Sequence, residues 1–329
     1  MKKYLFIAAT AAAVLASCTK TETVEVSDAK FIGFDNAWIG NPTKAVEEVT
    51  TENIKSFNVY GGYETSGDVF TAGREVTPNS NGEWTYSPLV PWTDGQTYNF
   101  YAYSGVNVTP AYNYTNGLTF TDVTVNGSTN QTDFVYDEAT GINSGATGTV
   151  RDKVQFAFGH LFSMIQFTIK SGFPKDVELQ ISDLELYGLN STADFNGTAA
   201  DDWTTADNTL TEGNGITFTD GTAQATTEPV DYTDNCVVLP QTFSVNTVLA
   251  KFTVTAPVST SIQTEVVKDI TAVIPADTWE KGKCYNYIVT IDGQTLDFIT
   301  FDTPTVTDWT TETLNMVNDP DNSGQIIGE

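Results

Sequence analysis

Apolar and polar residues alternate along much of the chain. In residues 177–181, Val177, Leu179 and Ile181 share one face and polar residues occupy the other, and residues 248–254 and 285–291 alternate in the same way. Shorter runs at residues 155–158 and 164–169 are also rich in β-branched and aromatic residues. A period of two predicts half-buried β-strands. After residue 17, no window has the period of an amphipathic helix.

Turn signals separate these runs. Asn-Gly pairs occur at residues 81–82, 116–117, 126–127 and 196–197, and Asp-Gly pairs at 94–95, 220–221 and 292–293. Such pairs favour two-residue hairpins, because their turns need a positive φ. Short strands with frequent turns predict an all-β fold built of β-sandwiches.

The length of 329 residues fits two domains of ordinary size or one large all-β domain. Residues 137–148 are rich in small and polar residues, which favours a break between domains there. We therefore predict an N-terminal β-sandwich over residues 31–150 and a C-terminal one over residues 151–329, with a C-terminal tail at 310–329.

The N-terminus has the features of an export signal. A basic start at residues 1–3 precedes an apolar run over residues 4–16, which is too short to span a membrane as a helix. The run ends in Leu15-Ala16-Ser17-Cys18, which resembles a lipobox, where bacterial lipoprotein precursors are cut and lipidated. We predict a signal peptide at residues 1–17, lipidation of Cys18 and a tether at 18–30; the alternative is an ordinary signal peptide. The predicted location is the outer membrane, through the lipid anchor.

The charge excludes some classes of partner. The formal net charge is −27, and the acidic residues are spread along the chain. A nucleic-acid-binding protein needs a basic surface, so we expect no nucleic-acid partner. The simplest interpretation of the acidity is solubility at an exposed surface.

Residues with catalytic or metal-binding potential are few. His160 is the single histidine and lies in an apolar run, so we predict a structural rather than a catalytic role. Residues 319–324 resemble the start of a calcium loop, but its twelfth position would fall at residue 330, beyond the sequence. We predict no metal, no cofactor and no enzymatic activity.

The two cysteines beyond the signal peptide, Cys236 and Cys284, lie in apolar strand-like runs. An exported protein permits a disulfide between them, and buried free thiols are an equal alternative. The aromatic residues between positions 84 and 103 could form a sugar-stacking surface, but their alternation favours core packing.

Several segments together resemble the fimbrillin family, the pilus subunits of anaerobic Gram-negative bacteria. They are Gly82-Glu83-Trp84-Thr85-Tyr86-Ser87-Pro88, Pro91-Trp92, residues 98–104, residues 154–167, Leu239-Pro240-Gln241, residues 279–287 and Val306-Thr307-Asp308-Trp309. The resemblance implies two tandem transthyretin-like Greek-key β-sandwiches, and a surface fimbria whose subunits assemble by strand exchange with copies of themselves or with related subunits. Host or bacterial surface ligands are further expected partners.

The resemblance also implies removal of an N-terminal strand. The family's processing loop is Thr-Arg-Ala, and Thr43-Lys44-Ala45 corresponds to it with lysine in place of arginine. A cut between Lys44 and Ala45 would release the strand carrying Phe31, Ile32 and Phe34. The candidate donor strand, with Leu314 and Met316, lies in the tail. The alternative function is a monomeric surface lipoprotein that binds glycans, and an enzyme is a more distant third.

Overall fold

The part of the chain that the structure describes folds into β-strands and the turns between them. The computed structural model describes residues 30–35, 38–39, 54–64, 67–125, 131–197, 202–205, 208–218, 220–224, 230–231, 236–244, 246–275, 278–291, 299–301 and 304–309. Within these residues there are 25 strands and no α-helix, so the all-β prediction is confirmed. The described part holds no helix long and apolar enough to cross a membrane.

The strands are bounded as follows. The first ten are β1 (Trp38–Ile39), β2 (Phe57–Tyr63), β3 (Gly67–Asp68), β4 (Arg74–Pro78), β5 (Trp84–Thr85), β6 (Thr97–Ser104), β7 (Ala111–Asn113), β8 (Gly117–Thr124), β9 (Val135–Asn143) and β10 (Ala157–His160). The others are β11 (Ser163–Ser171), β12 (Glu178–Tyr187), β13 (Thr192–Asn196), β14 (Trp203–Thr205), β15 (Ile216–Thr217), β16 (Gly221–Gln224), β17 (Val230–Asp231), β18 (Cys236–Val238), β19 (Gln241–Thr242), β20 (Leu249–Ala256), β21 (Val266–Val273), β22 (Thr278–Trp279), β23 (Lys283–Ile291), β24 (Ile299–Phe301) and β25 (Thr305–Asp308).

The strands form five sheets. The largest has the order β1-β10-β9-β6-β2-β4-β5, with β3 also on β2. A second runs β17-β11-β23-β24, with β18 on β11 and β25 on β23, and a third runs β15-β12-β20-β21 with β16 on β12. The remaining two are β14-β13-β8-β7 and the pair β19-β22.

Strand β6 of the largest sheet is buried on both faces. On β6, Phe100 and Ala102 belong to a first hydrophobic core, whereas Tyr101 and Tyr103 belong to a second. Successive side chains of a strand point to opposite faces, so this one strand supplies both cores. The first core is closed by the segment around Phe34, and the second extends through the rest of the molecule.

The turn signals hold at some of the described pairs and fail at others. Gly82, Gly95 and Gly117 all have positive φ, as the turn pairs predict. Gly197 lacks the positive φ that its Asn-Gly pair predicts, and Gly221 of an Asp-Gly pair is the first residue of strand β16, where it pairs with Ile181. Asp183 interrupts the alternation in β12, and there the pairing with β20 shifts register between residues 182 and 185. Asp183 has φ 55°, so the interruption in the pattern is a bulge within one strand.

The region of the predicted domain break contains a long strand. Residues 135–143 form β9, whose polar side chains are mostly exposed; this explains the polar composition that favoured a break there. Residues 154–158 then contribute to the first core, while β8 pairs with β13. The division at residues 150 and 151 stays a prediction.

Candidate functional site

The predicted displaced strand lies in the first core, between two other stretches of chain. We call residues 30–35 the N-terminal segment. On one side, the Ile32 N–H donates to the Val90 carbonyl at 2.8 Å, and the Trp92 N–H donates to the Lys30 carbonyl at 3.3 Å. Phe31 forms an antiparallel bridge with Pro91. The segment is thus hydrogen-bonded along residues 90–92.

The other side of the N-terminal segment is paired as well. The Asp35 N–H donates to the Val154 carbonyl at 2.9 Å, and the Val154 N–H donates to the Gly33 carbonyl at 2.8 Å. Phe34 and Val154 form a parallel bridge. The segment therefore bridges residues 90–92 and 153–155, and without it both would lose their partner.

The side chains of the segment alternate between core and surface. Ile32 and Phe34 are each 1% exposed, while Phe31 and Gly33 are half-buried. The Phe34 ring is surrounded by other aromatic rings with centroids 5.6–6.4 Å away: Phe57, Phe70, Tyr86, Phe100 and Phe156. Phe34 is the centre of this aromatic cluster.

Tyr86 ties the segment to the neighbouring loop. Its hydroxyl donates to the Ile32 carbonyl at 2.7 Å and accepts from the Val90 N–H at 3.2 Å. Burial raises the pKa of the Tyr86 phenol, which keeps it protonated as a donor. The sequence marks Tyr86 only through the family resemblance, and its contact with Ile32 needs the fold.

Beyond the N-terminal segment, β1 adds a second attachment. Residues 38–39 pair in parallel with residues 157–158 of β10. Both the segment and β1 precede the predicted processing loop. The other predicted site residues, Cys18, Lys44, Ala45, Leu314 and Met316, lie outside the described residues, as do residues 319–324.

His160 is the last residue of β10, directly before Leu161 of the second core. Its Nδ1 is 2.7 Å from an Asp133 carboxylate oxygen, and the side chains are 1% and 0% exposed. The imidazole stacks on Trp309, with centroids 4.1 Å apart and planes at 4°. The Nε2 atom makes no hydrogen bond within the described residues. These contacts are those of a structural histidine.

Cys236 and Cys284 are not joined by a disulfide. They lie on strands at opposite sides of β11, Cys236 opposite Ile165 and Cys284 opposite Met164. Strands two positions apart in a sheet are about 10 Å from each other, beyond the reach of a disulfide. Burial raises the pKa of the Cys236 thiol.

The aromatic residues between positions 84 and 103 lie mostly in the cores, as the alternation predicts. Within residues 84–103, Tyr86, Trp92, Tyr98 and Phe100 are buried in the first core, and Trp84 is half-buried against Phe57 at 5.0 Å. The alternation thus indicates packing, as predicted. Among the described residues, no group of three or more His, Cys, Asp or Glu side chains could hold a metal ion.

Solved structures share this fold. A fimbrial protein from Bacteroides vulgatus ATCC 8482 superposes with a TM-score of 0.57 at 17% identity, covering 85% of this chain and 100% of that chain. A candidate cell adhesion protein from Bacteroides uniformis ATCC 8492 gives a TM-score of 0.52 at 16% identity, covering 86% and 99%. At these identities the likeness shows the fold. No curated protein matches the sequence. The model of the fimbrillin-like family matches residues 43–309, most of the chain, and the protein therefore belongs to the fimbrillin-like family.

Proposed function

We propose that the protein is a structural and adhesive subunit of a cell-surface fimbria. It is made as an outer-membrane lipoprotein precursor lipidated at Cys18, loses its N-terminal segment by proteolysis, and assembles by donor-strand exchange. The observation that carries the proposal is the insertion of residues 30–35 between residues 90–92 and 153–155, with Ile32 and Phe34 buried. Family membership and the names of the B. vulgatus and B. uniformis proteins support the same role.

A single cut would open the site. A cut between Lys44 and Ala45 lies after both the N-terminal segment and β1, so both can leave together. Their departure would free backbone groups of Val90, Trp92 and Val154 and empty the places of two apolar side chains. Unpaired strand edges accept extended segments of other chains.

The candidate donor has the spacing that the site requires. Ile32 and Phe34 point into the first core from positions two residues apart, and Leu314 and Met316 in the tail are also two apart. Each buried side chain of this size contributes about 1.5–3 kcal/mol, so an incoming pair contributes roughly 3–6 kcal/mol. Backbone hydrogen bonds on both sides add to this.

Limited trypsin treatment of the full precursor tests the proposal. We expect a cut after Lys44 that produces a ladder of oligomers on an unheated gel. Lys44→Gln should block both the cut and the ladder, while the control Lys55→Gln, at an exposed position, should change neither. Deletion of residues 310–329 should allow the cut and prevent the ladder. A cut wild-type protein that stays monomeric would contradict strand exchange and favour the glycan-binding lipoprotein.

The proposed role is not enzymatic. The buried His160 side chain is hydrogen-bonded to Asp133 and stacked on Trp309. In its adhesive role, the protein would bind molecules on host or bacterial surfaces, either directly or through a partner subunit.

A further inference from the structure

The last described strand, β25, makes little contact with the core. All four of its residues, 305–308, are exposed, and Val306 is 50% exposed. The strand pairs with residues 283–286 of β23 on one side. At its end, Lys283 forms a surface ion pair with Asp308, and such exposed pairs contribute little to stability. A buried contact just beyond the strand adds to the pairing with β23.

Trp309 supplies the buried contact. It is 5% exposed, directly after a strand whose own side chains face solvent. The backbone N–H of Trp309 donates to the Gly282 carbonyl at 2.8 Å, and the backbone N–H of Gly282 donates to the Phe162 carbonyl at 2.8 Å. The indole ring lies flat against His160. Trp309 thus ties the end of β25 to the chain around residues 160–162.

The position of His160 is itself fixed. Its backbone pairs with Val135 across β9 and β10, and the Leu161 N–H donates to the Phe134 carbonyl at 2.8 Å. One oxygen of the Asp133 carboxylate lies 2.7 Å from His160 Nδ1. The other oxygen accepts a hydrogen bond from the Phe134 N–H at 2.7 Å. A ring held at one edge by a carboxylate has a set orientation, which a parallel stack requires.

We propose that Asp133, His160 and Trp309 form a C-terminal anchor. Asp133 orients the imidazole, the imidazole positions Trp309, and Trp309 holds the edge strand β25 on β23. His160 and Asp133 are positioning residues that act on β25 through Trp309. In an assembled fimbria, the anchor would fix the position of Trp309, the residue that precedes the proposed donor tail; this last step rests on the proposed function.

The anchor predicts a local effect of its residues. Hydrogen exchange of the amides in β25 reports the opening of this strand, while exchange in β20 reports the opening of the main core. Removal of the aromatic stack by Trp309→Ala or His160→Gln should raise exchange at residues 305–308 by about tenfold or more. Exchange in β20 should stay unchanged.

A double-mutant cycle tests whether His160 acts through Trp309. If it does, adding His160→Gln to Trp309→Ala should raise exchange at residues 305–308 no further. Trp309→Phe, which keeps a flat ring for the stack, should restore most of the protection. The control Val306→Ala removes an exposed side chain from the same strand and should leave its exchange near the wild-type value.

Each outcome decides the proposal. Unchanged exchange in Trp309→Ala would overturn it, and so would additive effects in the double variant. An effect that spreads equally to β20 would also overturn it, because the residues would then support the core in general. All measurements use the uncut monomer, so failure of the anchor is separate from failure of strand exchange, which the trypsin ladder reports.

Discussion

Replacement of Phe34 by alanine tests the central role of the N-terminal segment in the first core. The Phe34 ring is 1% exposed and is packed against rings whose centroids lie 5.6–6.4 Å away. Truncation of a buried phenylalanine to alanine costs about 3–5 kcal/mol. Because stiff aromatic side chains surround the site, the cavity collapses poorly, and we expect a value in the upper half of that range.

Phe31→Ala is the matched control. The two residues are of the same type and lie three positions apart on the same segment, but Phe31 is only half-buried. We therefore expect Phe31→Ala to cost about 1 kcal/mol, in line with a partly exposed side chain. Because both variants replace phenylalanine with alanine, the difference between their free energies of unfolding reports the effect of burial.

The assay is urea unfolding of the uncut chain, followed by circular dichroism, with the free energy of unfolding taken from the transition midpoint and slope. Phe34→Ala should lower the midpoint clearly more than Phe31→Ala does. Hydrogen exchange at residues 90–92 and 153–155 should rise in Phe34→Ala, since both stretches pair with the segment. Equal stability of the two variants would refute the reasoning that Phe34 closes the first core.

Three further predictions concern other parts of the molecule. Gly105→Ala should destabilise the protein strongly, because Gly105 has φ +102° and a Cβ there would lie 1.7 Å from the Asp133 carbonyl oxygen; thermal unfolding would measure this, with Gly82→Ala, whose Cβ would meet nothing, as the control of similar φ. Cys236 should resist alkylation in the native protein, because burial raises the pKa of its thiol, and should react after unfolding; rapid native labelling, located by peptide mass, would contradict its burial. Stability should fall from about pH 10 to about pH 12, because burial raises the pKa of Tyr101 and of Tyr103 to about 12 while tyrosine in the unfolded chain ionises near pH 10 and releases its proton first; a free energy of unfolding that stays constant over this range would argue against that assignment.

The sequence alone predicts much of the local structure. The strands at residues 249–256 and 283–291 follow from period-two alternation, since the pleat itself sends successive side chains to opposite faces. Turns at Gly82, Gly95 and Gly117 follow from residue types that tolerate positive φ. Asp183 follows the alternating run that ends at Ile181, but only the pairing with β20 shows that it lies in a bulge.

The polar stretch at residues 137–148 shows how little composition alone says about secondary structure. Small and polar residues favour loops, yet residues 135–143 form β9. This strand pairs with β6 and β10, and its exposed face permits polar side chains. Strand propensity depends on packing against neighbours, so composition alone could not separate this strand from a linker.

Some features of the candidate site also follow from the sequence, and others depend on the fold. The apolar side chains of the segment and the predicted lipobox at Cys18 come from the sequence by itself, because each depends on residues close together in the chain. Only the tertiary structure decided that residues 30–35 lie between residues 90–92 and 153–155, and that Trp309 stacks on His160. Those partners are distant in the chain, and their meeting depends on the packing of whole sheets, for which no local pattern of polar and apolar residues carries the information.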